Sequence, residues 1–107
     1  MTFLGELRLE ACIEGLHTIS HFVAAIAERL ELTEKVAFEV ELAVDEAATN
    51  IVRHAYPHGQ TGDLLLHAEV LNDVLRITLT DWGVPLNPDN VKPFDVDAPV
   101  EMRIQGG

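Results

Sequence analysis

The stretch that decides the fold is DEAATNIVRHAYP, residues 45–57. A charged pair, two alanines and a threonine lead to Asn50, four residues after Glu46, and His54 follows four residues later. Residues four apart share one side of an α-helix. Glu46, Asn50 and His54 therefore form one ridge, with Arg53 beside it. At about 100° per residue, Asn50 lies roughly 40° round the helix from Glu46, and His54 roughly 80°. The apolar residues of the same segment, Val36, Val40, Ala43, Val44, Ala47 and Ile51, centre near roughly 115° on that wheel. The polar ridge thus borders the buried side, where a helix lines a hollow between itself and the layer beneath. Thr33 supplies an N-cap, and Glu34 suits the positive end of the helix dipole. Pro57, Gly59 and Gly62 stop the helix after about Tyr56.

Upstream, ELRLEAC alternates, with Leu7, Leu9 and Ala11 on one face, which predicts a strand. From Gly15 to Leu32 the pattern turns helical: Leu16, Ile19, Val23, Ile26, Ala27 and Leu30 recur at spacings of three and four. Downstream, DLLLHAEVL and VLRITLTD flank Asn72-Asp73, which reads as a hairpin turn. WGVPLNPDNVKPFD then reads as loop, with one short helical turn begun by Asn87-Pro88. No repeat, low-complexity tract or linker interrupts the chain. Two amphipathic helices and an antiparallel sheet predict a two-layer α/β sandwich with the helices on one face.

Composition narrows the function. The 107 residues suit one small domain, and 48% hydrophobic content describes a soluble globular chain. A net charge of −11, from 18 acidic and 7 basic residues, argues against direct nucleic-acid binding and against anionic membranes. It is compatible with docking on a basic protein surface, and equally with an acidic excess that only keeps the chain soluble. Cys12 is the single cysteine, so no intramolecular disulfide forms, and it has no basic neighbour to activate it. MTFLGELRLE lacks a basic start and a long apolar run, and no stretch is apolar for long enough to span a bilayer. A cytoplasmic address is expected.

Alone, Glu46 and Asn50 at i, i+4 describe any solvated helix pair. A second element is DWGVP at 81–85, at the end of a predicted strand. Asp81 there can accept a hydrogen bond from an exocyclic amine, and Gly83 lets backbone approach a flat ring. Asp-x-Gly after a strand is also an ordinary turn. A third is the pair Gly106-Gly107, which can begin a phosphate-cradling loop.

In this order and on these elements, the three resemble the N, G1 and incipient G2 boxes of the GHKL ATP-binding superfamily, which includes gyrase and sensor histidine kinases. ELAVDEAATNIVRHAY and ITLTDWGVP are similar to the helix and the strand-turn of its anti-sigma-factor serine/threonine kinase family, and LRLEA to the first strand. The resemblance implies a GHKL (Bergerat) fold: helices on one face of a mainly antiparallel mixed sheet. It implies ATP and Mg²⁺ as cofactors. Asn50 would ligate the metal through its carbonyl oxygen, a hard ligand for a hard cation. Glu46 would orient or deprotonate the attacking hydroxyl. Asp81 would read the adenine amine, with Gly83 leaving room for the base, and Gly106 and Gly107 would belong to the phosphate loop. His54 matches the third N-box position, touching phosphate or, alternatively, closing the helix. Arg53 reads as a surface residue.

The family continues past the GG pair with a Gly-rich stretch, a long helix and a closing strand. The expectation is therefore an ATP-binding domain over 1–107, incomplete in its G2 box and lacking the C-terminal helix and strand. The resemblance further implies a homodimer through the sheet and first-helix region, and two partners: a sigma factor and a STAS-type anti-anti-sigma protein. A non-catalytic nucleotide-binding or protein-interaction module of the same fold is the alternative. A histidine kinase catalytic domain is disfavoured because it usually has a longer lid and a separate dimerisation helix. Arg103 is a weaker candidate for a phosphate contact. His17 and His21, at i, i+4 on the first helix, read as a solvated pair. His58 and His67 read as structural. Trp82 either packs beside the adenine or covers the sheet edge.

Overall fold

The computed structural model describes residues 1–57 and 59–83, and the backbone of 100–103. His58, the Asn87-Pro88 turn, Gly106 and Gly107 lie outside the described residues. The elements run β1 (Thr2–Glu10), α1 (Ile13–Arg29), α2 (Glu34–His54), β2 (Asp63–Leu71), β3 (Val74–Asp81) and β4 (Val100–Arg103). The strands form one sheet in the order β1-β2-β3-β4, and every described pairing is antiparallel. Both helices cover one face. The architecture is the α/β sandwich expected.

Alternation along the strands builds that face. Leu64, Leu66 and Ala68 of β2 and Leu75, Ile77 and Leu79 of β3 are buried. They meet Ile19, Val23 and Ile26 of α1 and Val40, Val44, Ala47 and Ile51 of α2. Each large aliphatic side chain taken from water in this way contributes about 1.5–3 kcal/mol before ordering costs. Register follows from the hairpin: Asn72 (φ 52°) and Asp73 (φ 63°) both adopt left-handed backbone, the geometry of a two-residue type I′ turn. The turn makes Leu71 face Val74 and carries the ladder on to Leu64 opposite Asp81.

α2 begins as expected, with Thr33 Oγ1 accepting the Val36 N–H at 3.2 Å. α1 departs from the expectation. It ends at Arg29 rather than Leu32, although no glycine stops it. Glu31 enters left-handed backbone at φ 54°, and the Glu31 and Leu32 N–H groups bond the Glu28 and Ala27 carbonyls, each at 3.0 Å. That is a Schellman closure, in which Leu32 turns back onto the core. β1 likewise starts earlier than the ELRLEAC segment, at Thr2, through an irregularity between Phe3 and Gly5. β4 lies beyond the expected loop, which ends at Asp95, and is a strand the sequence reading did not include. Its backbone puts Arg103 opposite Val74, at the end of β3 away from Asp81. The seven-residue separation is about 23 Å along the strand, so the weaker expectation of a phosphate contact from Arg103 has no support in this position.

The outer face of the sheet carries paired charges. His67 Nδ1 lies 2.8 Å from Glu6 Oε1, and its Nε2 lies 3.6 Å from Glu69 Oε2. The Phe3 ring packs against the imidazole, with centroids 5.3 Å apart. The Glu6 hydrogen bond, reinforced by Glu69, holds the His67 pKa above its ordinary value despite some desolvation. Among the described residues no helix is long and apolar enough to cross a membrane.

Two predictions follow from these contacts. Glu31→Gly should stabilise the fold by about 1 kcal/mol, because glycine adopts the left-handed region without the Cβ clash; chemical denaturation measures it. A raised histidine pKa contributes stability that is complete below the unfolded value and lost as pH rises through the folded one. The stability difference between wild type and Glu6→Gln should therefore be larger near about pH 6 than near about pH 8.5.

Candidate functional site

α2 presents its ridge as a borderline between buried and solvated sides. Asn50 is half-buried, whereas Glu46, Arg53 and His54 are exposed. Among the described residues, the side chains of Glu46, Asn50 and His54 make no hydrogen bond to the protein, so their polar groups are not consumed by the fold. The buried side is rotated relative to the stripe expected from sequence. Ala48 and Ala55 join it and Ala43 is only half-buried, which moves its centre to roughly 150° from Glu46. Alanine is small enough to be read as neutral. Here Ala48 is completely buried.

Asp81 is positioned by strand parity. It stands opposite Leu64, which is fully buried, and shares a face with Leu75, Ile77 and Leu79. Its carboxylate is therefore on the helix-facing side, at the end of β3. Asp81 Oδ1 accepts the Gly83 N–H at 2.9 Å, closing a tight Asp-x-Gly turn. That turn abuts the C-terminus of α2: a Cβ on Gly83 would collide with the Ala55 carbonyl oxygen and carbon. Glycine is thus required by backbone–backbone contact, a reason additional to room for a flat ligand. Asn50 lies five residues before Ala55, about 7.5 Å along the helix axis, and Glu46 about 14 Å. Asp81, Gly83 and the last turn of α2 are brought together, and the ridge leads away from them.

Trp82 goes to the other side. Half-exposed at 54%, it lies under Arg8, whose guanidinium carbon is 4.6 Å from the ring centroid. Arg8 Nε also bonds Asp63 Oδ2 at 3.0 Å. Together with Glu10, Tyr56, Thr61 and Gly62, these residues line an open groove of about 560 Å³. A much smaller hollow separates α1 from α2, between Leu16, Ile19 and Ser20 and Val44, Asp45 and Ala48. Glu46, Asn50 and Asp81 line neither of these two. His17 and His21 are exposed on α1. Cys12 is the N-cap residue of α1 and a free thiol.

Tyr56 is the residue that reasoning from sequence missed. Its hydroxyl donates to the Asp63 carbonyl at 2.5 Å and accepts the Trp82 N–H at 3.1 Å. The ring occupies the space a Cβ on Gly62 would need. In sequence it stood only as the end of the helix, although Gly62 six residues later was a usable sign of close packing.

Donor chemistry bears on a metal–nucleotide ligand. Among the described residues no group of three or more His, Cys, Asp or Glu side chains converges to hold a metal ion. A half-buried asparagine amide suits Mg²⁺ that takes the rest of its shell from phosphates and water. The half-buried Asn50 amide and the helix-facing Asp81 carboxylate are the kinds of group such a ligand would use. Replacing Gly83 by alanine should displace the turn from Ala55 and destabilise the protein by about 1–3 kcal/mol, read as a lowered denaturation midpoint.

Residues 9–107 match the family model described as the histidine kinase-like ATPase domain. Among curated proteins, the chain is 30% identical over 106 residues to the serine-protein kinase RsbW of Bacillus cereus, covering 95% of this chain and 66% of that protein. The RsbW of Bacillus mycoides matches to the same extent. That of Staphylococcus aureus is 28% identical over 107 residues, 95% of this chain and 67% of its own length. The chain thus spans about two thirds of the curated relatives it matches. By this match over nearly its whole length, the chain belongs to the histidine kinase-like ATPase domain family.

Proposed function

We propose that the protein is an ATP-dependent protein serine kinase that also acts as an anti-sigma factor. It phosphorylates a serine on a small STAS-type anti-anti-sigma partner, and in doing so remains available to sequester a sigma factor. Support comes from the relatives named as serine-protein kinases. The single structural observation that carries the proposal is the placement of Asp81. Its carboxylate is on the helix-facing side of the sheet, next to the end of the helix that carries Glu46, Asn50 and His54.

Bound Mg²⁺–ATP would supply the transferable phosphoryl group and the charge neutralisation its transfer requires. The protein's own groups supply binding and orientation. Asp81 would accept a hydrogen bond from the adenine amine, with Oδ1 already oriented by the Gly83 N–H. Asn50, half-buried, would offer its amide oxygen to the metal. Glu46 is exposed one turn earlier, where an incoming serine hydroxyl can reach it; the carboxylate orients that hydroxyl or takes its proton. His54 would border the phosphates, and Gly106 and Gly107, which lie outside the described residues, would belong to the phosphate loop.

The proposed assembly is a homodimer through the sheet and α1. A net charge of −11 suits docking on a basic protein surface. A cytoplasmic location goes with these partners.

The intact protein, incubated with labelled ATP, Mg²⁺ and a candidate anti-anti-sigma protein, should transfer label to a serine. Asn50→Ala should abolish Mg²⁺-dependent ATP binding. Glu46→Gln should keep nucleotide binding while lowering transfer by at least about 100-fold. Unchanged transfer by Glu46→Gln removes that residue from its role. Absence of nucleotide binding by the intact wild type favours a module that acts by protein contacts alone.

A further inference from the structure

Four residues from four parts of the chain, through side-chain and backbone groups, close a ring beside the Asp81–Gly83 turn. The Tyr56 hydroxyl donates to the Asp63 carbonyl at 2.5 Å, and Asp63 Oδ2 accepts from Arg8 Nε at 3.0 Å. The Arg8 guanidinium covers the Trp82 ring at 4.6 Å, and the Trp82 N–H returns to the Tyr56 hydroxyl at 3.1 Å. Tyr56 and Asp63 are seven residues apart and the other contacts are long-range; together they join β1, the segment after α2, the start of β2 and the segment after β3. None of the four belongs to the ridge or carries the carboxylate assigned to the base.

The ring acts at the point where two halves of the site meet. Tyr56 follows α2 by two residues, so its hydroxyl links the helix bearing Asn50 to the backbone that sets Asp81. Trp82 and Gly83 are consecutive. The Trp82 N–H bond anchors the peptide next to the one whose N–H, that of Gly83, holds Asp81 Oδ1 at 2.9 Å, and so restrains the turn without fixing it outright. The hydroxyl is used twice: it donates in a part-buried bond to Asp63, which counts for more than in water, and accepts a more exposed bond from the Trp82 N–H. Outside, Arg8 closes the solvent side of the same turn.

We infer that Tyr56 is a positioning residue for base recognition: its hydroxyl, backed by the Asp63–Arg8–Trp82 contacts, holds the Asp81 carboxylate in the orientation that discriminates adenine from other purines. Resting on the nucleotide-binding role proposed above, the inference assigns selectivity to a residue that touches no ligand. Removing the hydroxyl leaves the Trp82 N–H without its acceptor and lets the turn sample other orientations. A carboxylate that can rotate no longer separates a 6-amino from a 6-oxo purine. Loss of one such hydrogen bond corresponds to about tenfold in affinity.

The test measures ATP and GTP dissociation constants for the intact protein by calorimetry, together with thermal midpoints, in wild type, Tyr56→Phe and Arg8→Gln. Tyr56→Phe should weaken ATP binding about tenfold and leave GTP binding nearly unchanged, so the ATP:GTP preference falls about tenfold. Arg8→Gln, which removes only the exposed link, should lower the preference about threefold. A lowered thermal midpoint with an unchanged preference in Tyr56→Phe makes the tyrosine purely structural and overturns the inference. If Tyr56→Phe does not fold, an unchanged preference in Arg8→Gln overturns it. A wild type that binds neither nucleotide overturns the nucleotide reading itself, a result distinct from wild type binding ATP with variants that keep its preference.

Discussion

Asp81 and Leu64 stand opposite each other at the far end of the β2–β3 ladder, and this pairing governs which side of the sheet the carboxylate occupies. Side chains in a strand alternate, so a slip of one residue would send Asp81 to the solvent face and expose Leu75, Ile77 and Leu79. Two features prevent the slip. The Asn72-Asp73 turn adopts left-handed backbone at both central positions, which sets the register from one end. The buried leucines and isoleucine set it along the length. The same apolar contacts that stabilise the fold therefore aim the group with a proposed role in recognition.

A second constraint joins sheet to helix. Gly83 is pressed against the Ala55 carbonyl, and Tyr56 bonds both to Asp63 at the start of β2 and to Trp82 after β3. The end of α2, the entry to β2 and the exit from β3 meet in one place. Residues on α2 and residues after β3 keep a set relation although about 30 positions separate them in sequence. A pocket built across two layers needs such a tie, because helices and sheets packed only by non-directional apolar contacts can slide.

Much of this was legible in the chain. The periodicities of α1 and α2, the Thr33 cap, the Asn72-Asp73 hairpin and the alternation of β2 and β3 are local, and each was read from residues a few positions apart. The ridge of Glu46, Asn50 and His54 also follows from spacing alone. What escaped was long-range or chemically quiet. Arg8 meets Asp63 across 55 positions, and its stacking on Trp82 has no local signature. Ala48 and Ala55 look neutral in a stripe of valines, yet both are buried. Glu31 ends α1 in a conformation usually left to glycine, so the helix was read three residues too long. The pairing of β4 with β3 is likewise a contact between segments whose separation hides it.

The central claim is that a purine nucleotide lies between the end of β3 and the ridge of α2. Backbone amide NMR of the intact protein, titrated with Mg²⁺–ATP, tests it most directly. Perturbed resonances should cluster at Asn50, Ala55 and Asp81–Gly83, two segments that meet only in the folded structure. Perturbations confined to the Arg8–Thr61 groove on the opposite side of the turn, or none at all, would contradict the account.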